Sequence, residues 1–237
     1  MRIPYNISKS AMKTHQQKMN HIAHNIANVN TIGYKKQSVQ FSELLHNTVN
    51  EQDARISENA GELSNGMGVR LAESKAAYTQ GSLTNTGDPL HLAIGGNGFF
   101  GVRDENNELL LTRDGAFHLN SQNEVVNDQG YRLEMNGQVL DGQTLSTDQI
   151  PLFLPTDSSG LTPSGGNLYR INEGATLLNS ATNTEAFGDI LSGHIEESTV
   201  DLAQSFTDMI MSQRAYSLNA KVTQSTDEIY SLINQFT

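Results

Sequence analysis

Residues 90–119, LHLAIGGNGFFGVRDENNELLLTRDGAFHL, decide the fold. Three strand-sized runs, Leu90–Ile94, Gly98–Arg103 and Leu109–Arg113, are separated by Gly95-Gly96-Asn97-Gly98 and Asp104–Asn107 and followed by Asp114-Gly115. Glycine, asparagine and aspartate at these points supply the backbone freedom and local hydrogen bonding that reverse a chain. Continuing toward the C-terminus, Ala116–Leu119, Glu124–Asn127 and Tyr131–Glu134 repeat the pattern, with Asp128-Gln129-Gly130 and Asn136-Gly137 as turns. Short apolar runs punctuated in this way predict an antiparallel β region, a small barrel or sandwich. Residues 155–188 are rich in Ser, Gly, Asn and Thr and read as mostly loop.

Toward both ends the punctuation stops. All 20 glycines lie between Gly33 and Gly193, and neither Gly nor Pro occurs from Tyr5 to Ile32 or from His194 to Thr237. The first of these stretches predicts an amphipathic helix from Tyr5 to Asn28. Tyr5, Met12, Met19 and Ile26 recur every seven residues, and Ile22 and Ala23 widen the stripe. At 1.5 Å per residue it is roughly 36 Å long. Asn28, Asn30 and Gly33 carry stop chemistry, and Gly33 fits a positive-φ turn. Asn25, Asn28 and Asn30 read first as local caps and second as interface hydrogen-bonding groups. In the last stretch Ser198, with Asp201 three residues on, resembles a capping box. Leu202, Phe206, Met209, Ile210, Tyr216, Val222, Ile229, Tyr230 and Ile233 then predict a helix of about 36 residues, some 50 Å long.

The expected architecture is α+β, with N- and C-terminal helices pairing in a coiled-coil-like arrangement around a central antiparallel β domain. Residues 1–36 and 198–237 form a discontinuous helical assembly domain, 37–67 a linker, and 68–197 the β body. Neither helix can bury its stripe alone in water, so the partners are each other or the helices of neighbouring molecules. The expected interface is Tyr5, Met12, Met19, Ile22, Ile26, Leu202, Phe206, Met209, Ile210, Tyr216, Ile229 and Tyr230. Such a layout suits polymerisation better than catalysis.

Composition narrows the classes further. Apolar residues are 36% of the 237, and no run of them is long enough to span a bilayer. Without cysteine there is no disulfide framework, thiolate metal site or thiol nucleophile. The net charge of −11 is uneven: residues 1–42 carry six Lys/Arg and no acid, whereas 43–197 carry 7 basic and 22 acidic groups. An acidic body repels phosphate backbones, so no nucleic acid is expected as a partner. Met1–Asn30 lacks the apolar core of a cleaved secretory signal.

No chemistry-bearing motif survives inspection. His15, His21 and His24 share a helix, but the first carboxylate is Glu43, so no metal site is expected. Gly95–Gly98 lacks the Lys-Ser/Thr of a phosphate loop. Asp104, Glu105, Glu108 and Asp114 sit at turn positions and match no calcium loop. No Gly-x-Ser-x-Gly elbow occurs. The reading is non-enzymatic, with no catalytic residue and no cofactor.

Four ordered stretches resemble the bacterial flagellar rod and hook (axial) proteins. They are Asn25-Ile26-Ala27-Asn28-Val29-Asn30-Thr31-Ile32-Gly33-Tyr34-Lys35-Lys36; Thr86-Gly87-Asp88-Pro89-Leu90-His91-Leu92-Ala93-Ile94 with Gly95–Phe100; Thr112-Arg113-Asp114-Gly115-Ala116-Phe117; and Ser198-Thr199-Val200-Asp201-Leu202-Ala203 continuing to Gln213-Arg214-Ala215-Tyr216 and Asn219-Ala220-Lys221. His24, Ile32, His91, Gly95 and Thr199 depart from the usual pattern. With 237 residues there is little room for the additional outer domains of hook proteins, so the resemblance is to the distal-rod type. It implies a structural subunit of the flagellar basal-body rod, self-polymerising into a tube around the export channel and transmitting torque to the hook. It also implies neighbouring rod and hook proteins and the flagellar export apparatus as partners, without membrane insertion. A hook or other axial homologue is the alternative within the family; a soluble β-domain binding module is the alternative outside it.

Overall fold

The computed structural model describes residues 2–43, 46–48, 64–66, 68–76, 78–136, 147–156, 160–172, 174–181 and 186–235. The chain divides into two compact units.

The first unit comprises Met1–Ala27, Gln37–Ala77 and Asp201–Thr237. It holds α1 (Arg2–Ala27), β1 (Gln37–Glu43), β2 (His46–Thr48), β3 (Ser64–Gly66), β4 (Val69–Ala76) and the long C-terminal helix α2 (Leu202–Gln235). α1 packs against α2 and against the β1–β4 ribbon. That ribbon is antiparallel, from Gln37 opposite Ala76 to Glu43 opposite Val69, and its register shifts between Val39 and Phe41. Strand β1 thus falls within residues 37–67, the stretch read from sequence as a linker. The α2 cap is Asp201 itself: its Oδ1 accepts the Gln204 N–H at 3.1 Å and its carbonyl the Ser205 N–H at 2.9 Å. Ser198 Oγ instead accepts the Val200 N–H, two residues before the helix, so the expected Ser198 cap is corrected to Asp201.

The second unit comprises Asn28–Lys36 and Tyr78–Val200. Its strands are β5 (Leu83–Asn85), β6 (Leu92–Gly95), β7 (Phe99–Arg103), β8 (Leu109–Thr112), β9 (His118–Leu119), β10 (Val125–Val126), β11 (Arg132–Leu133), β12 (Leu152–Pro155), β13 (Leu161–Gly165), β14 (Leu168–Ile171), β15 (Leu177–Asn179), β16 (Asp189–Ser192) and β17 (His194–Glu196). The main sheet runs β13-β14-β8-β7-β11-β10-β9, with β12 joining β7 and β15; β16 pairs β6, and β17 pairs β5. All of these pairings are antiparallel.

Adjacent residues on this sheet go to different cores. Phe100, Leu110, Leu152 and Leu168 join one cluster with Leu92, Ile94, Val102 and Phe117, while Phe99, Leu111, Phe153 and Tyr169 join another. Side chains alternate faces along a strand, so a sheet covered on both faces reads as continuous apolar runs such as Phe99-Phe100 and Leu109-Leu110-Leu111. Gly101 interrupts one run for a steric reason: a Cβ there would stand 2.5 Å from the Phe153 ring. Residues 155–188, read as mostly loop, carry β13, β14 and β15. The polar composition concealed them because β13 buries only Leu161, while Gly166-Asn167, both at positive φ, turn the hairpin into the buried Leu168-Tyr169 pair.

Candidate functional site

Two features stand out, one in each unit. In the first unit, the helices bury hydroxyls and expose hydrocarbon. Ser8 and Thr14 on α1 and Ser205 and Ser212 on α2 are buried. Thr14 Oγ1 donates to the Ser10 carbonyl at 2.7 Å, and Ser205 Oγ to the Asp201 carbonyl at 2.6 Å. Side chains this small let helix backbones approach closely, and Thr14 and Ser205 satisfy their hydroxyls within their own helix, whereas Ser212 Oγ is buried without a partner among the described residues.

The large apolar groups of α2 lie elsewhere. Phe206 is 51% exposed, Leu218 62% and Ile229 52%; Leu202, Ile210, Met211, Tyr216, Val222, Leu232 and Ile233 are exposed as well. Met211, Leu218, Val222, Ile229 and Ile233 are spaced 7, 4, 7 and 4 residues apart, which places them on one helical face. Leu202, Phe206 and Ile210, four apart, form a second, shorter row. By the same helical arithmetic, Ser205 and Ser212 lie about 100° round from the longer row. Of the residues expected at the interface, Ile22 is buried, and Tyr5, Met12, Met19, Ile26, Met209 and Tyr230 are half-buried. Leu202, Phe206, Ile210, Tyr216 and Ile229 stand in solvent. Met211 and Leu218, absent from the expected interface, also stand on this exposed face.

The asparagines divide by role. Asn25 does not cap α1. Its Nδ2 donates to the Gln37 carbonyl at 2.9 Å and its Oδ1 accepts the Gln37 N–H at 3.0 Å, so the side-chain amide pairs with the first residue of β1 as a strand would. Asn28 acts locally, its Oδ1 accepting the Thr31 hydroxyl and its carbonyl the Thr31 N–H. Asn30 is exposed. Gly33 has a φ of 66°, and a Cβ there would lie 2.3 Å from the Arg113 carbonyl oxygen. Tyr34 is buried, and that burial pushes its phenol up to about 12.

The second feature, in the β unit, was not anticipated. Lys35, Arg113 and Glu196, all nearly inaccessible to solvent, meet in one ionic cluster. Lys35 Nζ donates to Glu196 Oε1 at 2.6 Å and to the Thr79 carbonyl at 2.7 Å. The Gly81 N–H donates to the same Oε1 at 2.7 Å, and Arg113 Nη1 to Oε2 at 3.2 Å. Arg113 Nη2 reaches the Gly96 carbonyl at 2.8 Å, and the guanidinium carbon lies 5.3 Å from the Phe99 ring centroid. Burial lowers both cations from their ordinary values, because a charge away from water is unfavourable, and Glu196 opposes the shift.

Backbone bonds complete a clamp around this cluster. The Gly33 N–H donates to the Glu196 carbonyl at 2.7 Å, the Thr199 N–H to the Tyr34 carbonyl at 3.1 Å, and the Lys36 N–H to Thr199 Oγ1 at 2.8 Å. Asn167 Nδ2 donates to the Ile32 carbonyl at 2.7 Å. The chain segments following α1 and preceding α2 are thereby fastened to each other.

Comparison with known proteins bears on both features. Residues 6–35 match the family described as flagella basal body rod protein, 93–162 the flagellar hook protein FlgE/F/G D1 domain, and 191–236 the flagellar basal body rod FlgEFG protein C-terminal region. The chain is 32% identical to the flagellar basal-body rod protein FlgG of Bacillus subtilis over 93% of each sequence. It is also 31% identical to the protein of that name from Buchnera aphidicola subsp. Baizongia pistaciae, over 94% of this chain and 95% of the relative. The chain belongs to the flagellar basal-body rod protein family.

As a rod protein it is a structural component of the flagellar basal body. It is also 28% identical to the flagellar hook-basal body complex protein FlhP of B. subtilis, over 92% of this chain and 93% of that one. In this rod protein the three matched segments each contribute one member of the clamp: Lys35 from the first, Arg113 from the second and Glu196 from the third.

Proposed function

We propose that copies of this rod protein polymerise with one another, and join neighbouring rod and hook proteins, through the apolar rows of α2. The assembled terminal helices form a tube around the export channel, with the β body outside it, and the assembly transmits torque to the hook. The chain reaches this position through the flagellar export apparatus and works mechanically, without catalysing a reaction. The observation that carries this reading is the exposed Met211, Leu218, Val222, Ile229 and Ile233 face of α2. Large side chains at this density on one face are costly in water and favourable once covered by another helix. Ile22 of α1 is buried and Tyr5, Met12, Met19, Ile26, Met209 and Tyr230 are half-buried, and α1 packs against α2.

A double substitution, Leu218→Asp with Ile229→Asp, tests the interface. Both sites are exposed, so the isolated variant is expected to keep its circular dichroism spectrum and melting temperature, yet fail to form rods in sedimentation and electron microscopy. Rods formed at wild-type yield would contradict the assignment of this face.

A further inference from the structure

Among the described residues the clamp holds more cations than anions. Two cations, Lys35 and Arg113, share the single carboxylate of Glu196, and among the described residues no other carboxylate pairs with either. Arg113 Nε is also buried with no hydrogen-bond partner among the described residues, although its two neighbouring nitrogens are engaged. A buried donor left unmade is costly, and a buried excess charge more so.

Arg113 is at the same time a wall of a cavity of about 390 Å³, with Tyr78, Asn97, Gly98, Phe99 and Thr156 among the other lining residues. The unbalanced charge, the unmade hydrogen bond and the open space therefore meet at one side chain. We propose that this cavity is a carboxylate-binding subsite in which a single anionic group completes the clamp by pairing with Arg113.

The chemistry of the walls fits such an occupant. Guanidinium binds carboxylate through parallel N–H donors, and Asn97 and Thr156 add neutral hydrogen-bonding side chains. Phe99 and Tyr78, packed edge to face at 5.4 Å between ring centroids, form an apolar flank that lowers the local polarity and strengthens the pair. A carboxylate can come from two sources, a small free acid or an Asp or Glu side chain of a second copy of this chain. The site itself stands without the assembly reading; only the second source rests on it.

The test uses the full-length, unassembled protein, with acetate as probe and chloride at matched ionic strength as control. Acetate should raise the melting temperature saturably and shift the Arg113 Nε–H resonance, assigned by its loss in Arg113→Lys; chloride should do neither. Asn97→Asp, a near-isosteric change on the cavity wall, should supply the missing charge within the chain. It is expected to raise the melting temperature in the absence of acetate by about 2–4 °C, the shift expected of about 1 kcal/mol in a chain of this size. It should also abolish the acetate response. Thr156→Asp is the second variant, from the opposite sequence segment, and the same result is expected. An Nε–H resonance indifferent to acetate, together with no gain in stability from either aspartate, would overturn the proposal. Assembly separates the sources: if a neighbour's acidic side chain occupies the site, Asn97→Asp repels it and lowers rod yield, whereas with a free carboxylate the yield is unchanged.

Discussion

The β unit and the helical unit solve opposite problems. In the β unit Leu92, Phe100, Val102 and Leu111 have no solvent exposure, and even Lys35 and Glu196 are buried with partners. In the helical unit serines are buried, while Phe206, Leu218 and Ile229 are more than half exposed. The first is complete as a single chain. The second leaves the apolar rows of α2 uncovered, the surface that the proposed function assigns to neighbouring subunits.

The sharpest way to break this comparison is to make the same substitution in both units. Phe100→Ala should cost about 3–5 kcal/mol in denaturant unfolding, because it opens a cavity in a closed core. Phe206→Ala in the isolated protein should stay within about 0.5 kcal/mol of wild type, since its ring is already in water. Equal costs would mean that the two units are finished to the same degree.

The clamp sharpens the comparison from the β side. Glu196→Gln leaves Lys35 and Arg113 buried together without a counter-charge and should cost about 3–5 kcal/mol. Lys35→Met keeps one cation against one carboxylate and loses chiefly the hydrogen bonds to Thr79 and Glu196, a cost of about 1–3 kcal/mol. Urea unfolding of the two variants gives the order; a larger loss for Lys35→Met would mean that the cluster has no surplus cation.

The smallest effect concerns Tyr34. Its phenol ionises near 10 when unfolded and about 12 in the fold. Between these values the unfolded chain releases a proton that the folded chain retains, so stability falls as the pH rises from 10 to 12. Tyr34→Phe should flatten that part of the stability profile, measured by urea unfolding across the alkaline range; an unchanged slope would place the phenol in water.

Much of this was legible in the residues. The helices followed from stretches free of Gly and Pro that carry apolar residues at helical spacing. The strands from β6 to β11 followed from their turns. The clamp was not legible. Lys35 adjoins Lys36 and Glu196 adjoins Glu197, and sequence does not say which member of each pair turns inward. Only the fold separates them, placing Glu196 under Lys35 and leaving Glu197 outside, where it accepts the Thr84 hydroxyl at 2.7 Å. The direction of the α2 rows was likewise hidden, since a hydrophobic period shows that a face exists and not which neighbour covers it.

The central claim is that α2 awaits a partner while the β unit does not. Hydrogen–deuterium exchange on the isolated chain and on assembled rods tests it most directly. The account predicts that amides of residues 202–235 exchange fast in the isolated chain and become strongly protected in the rod, while those of β7, β8 and β14 are equally protected in both. Protection of α2 already complete in the isolated chain, and unchanged on assembly, would contradict it.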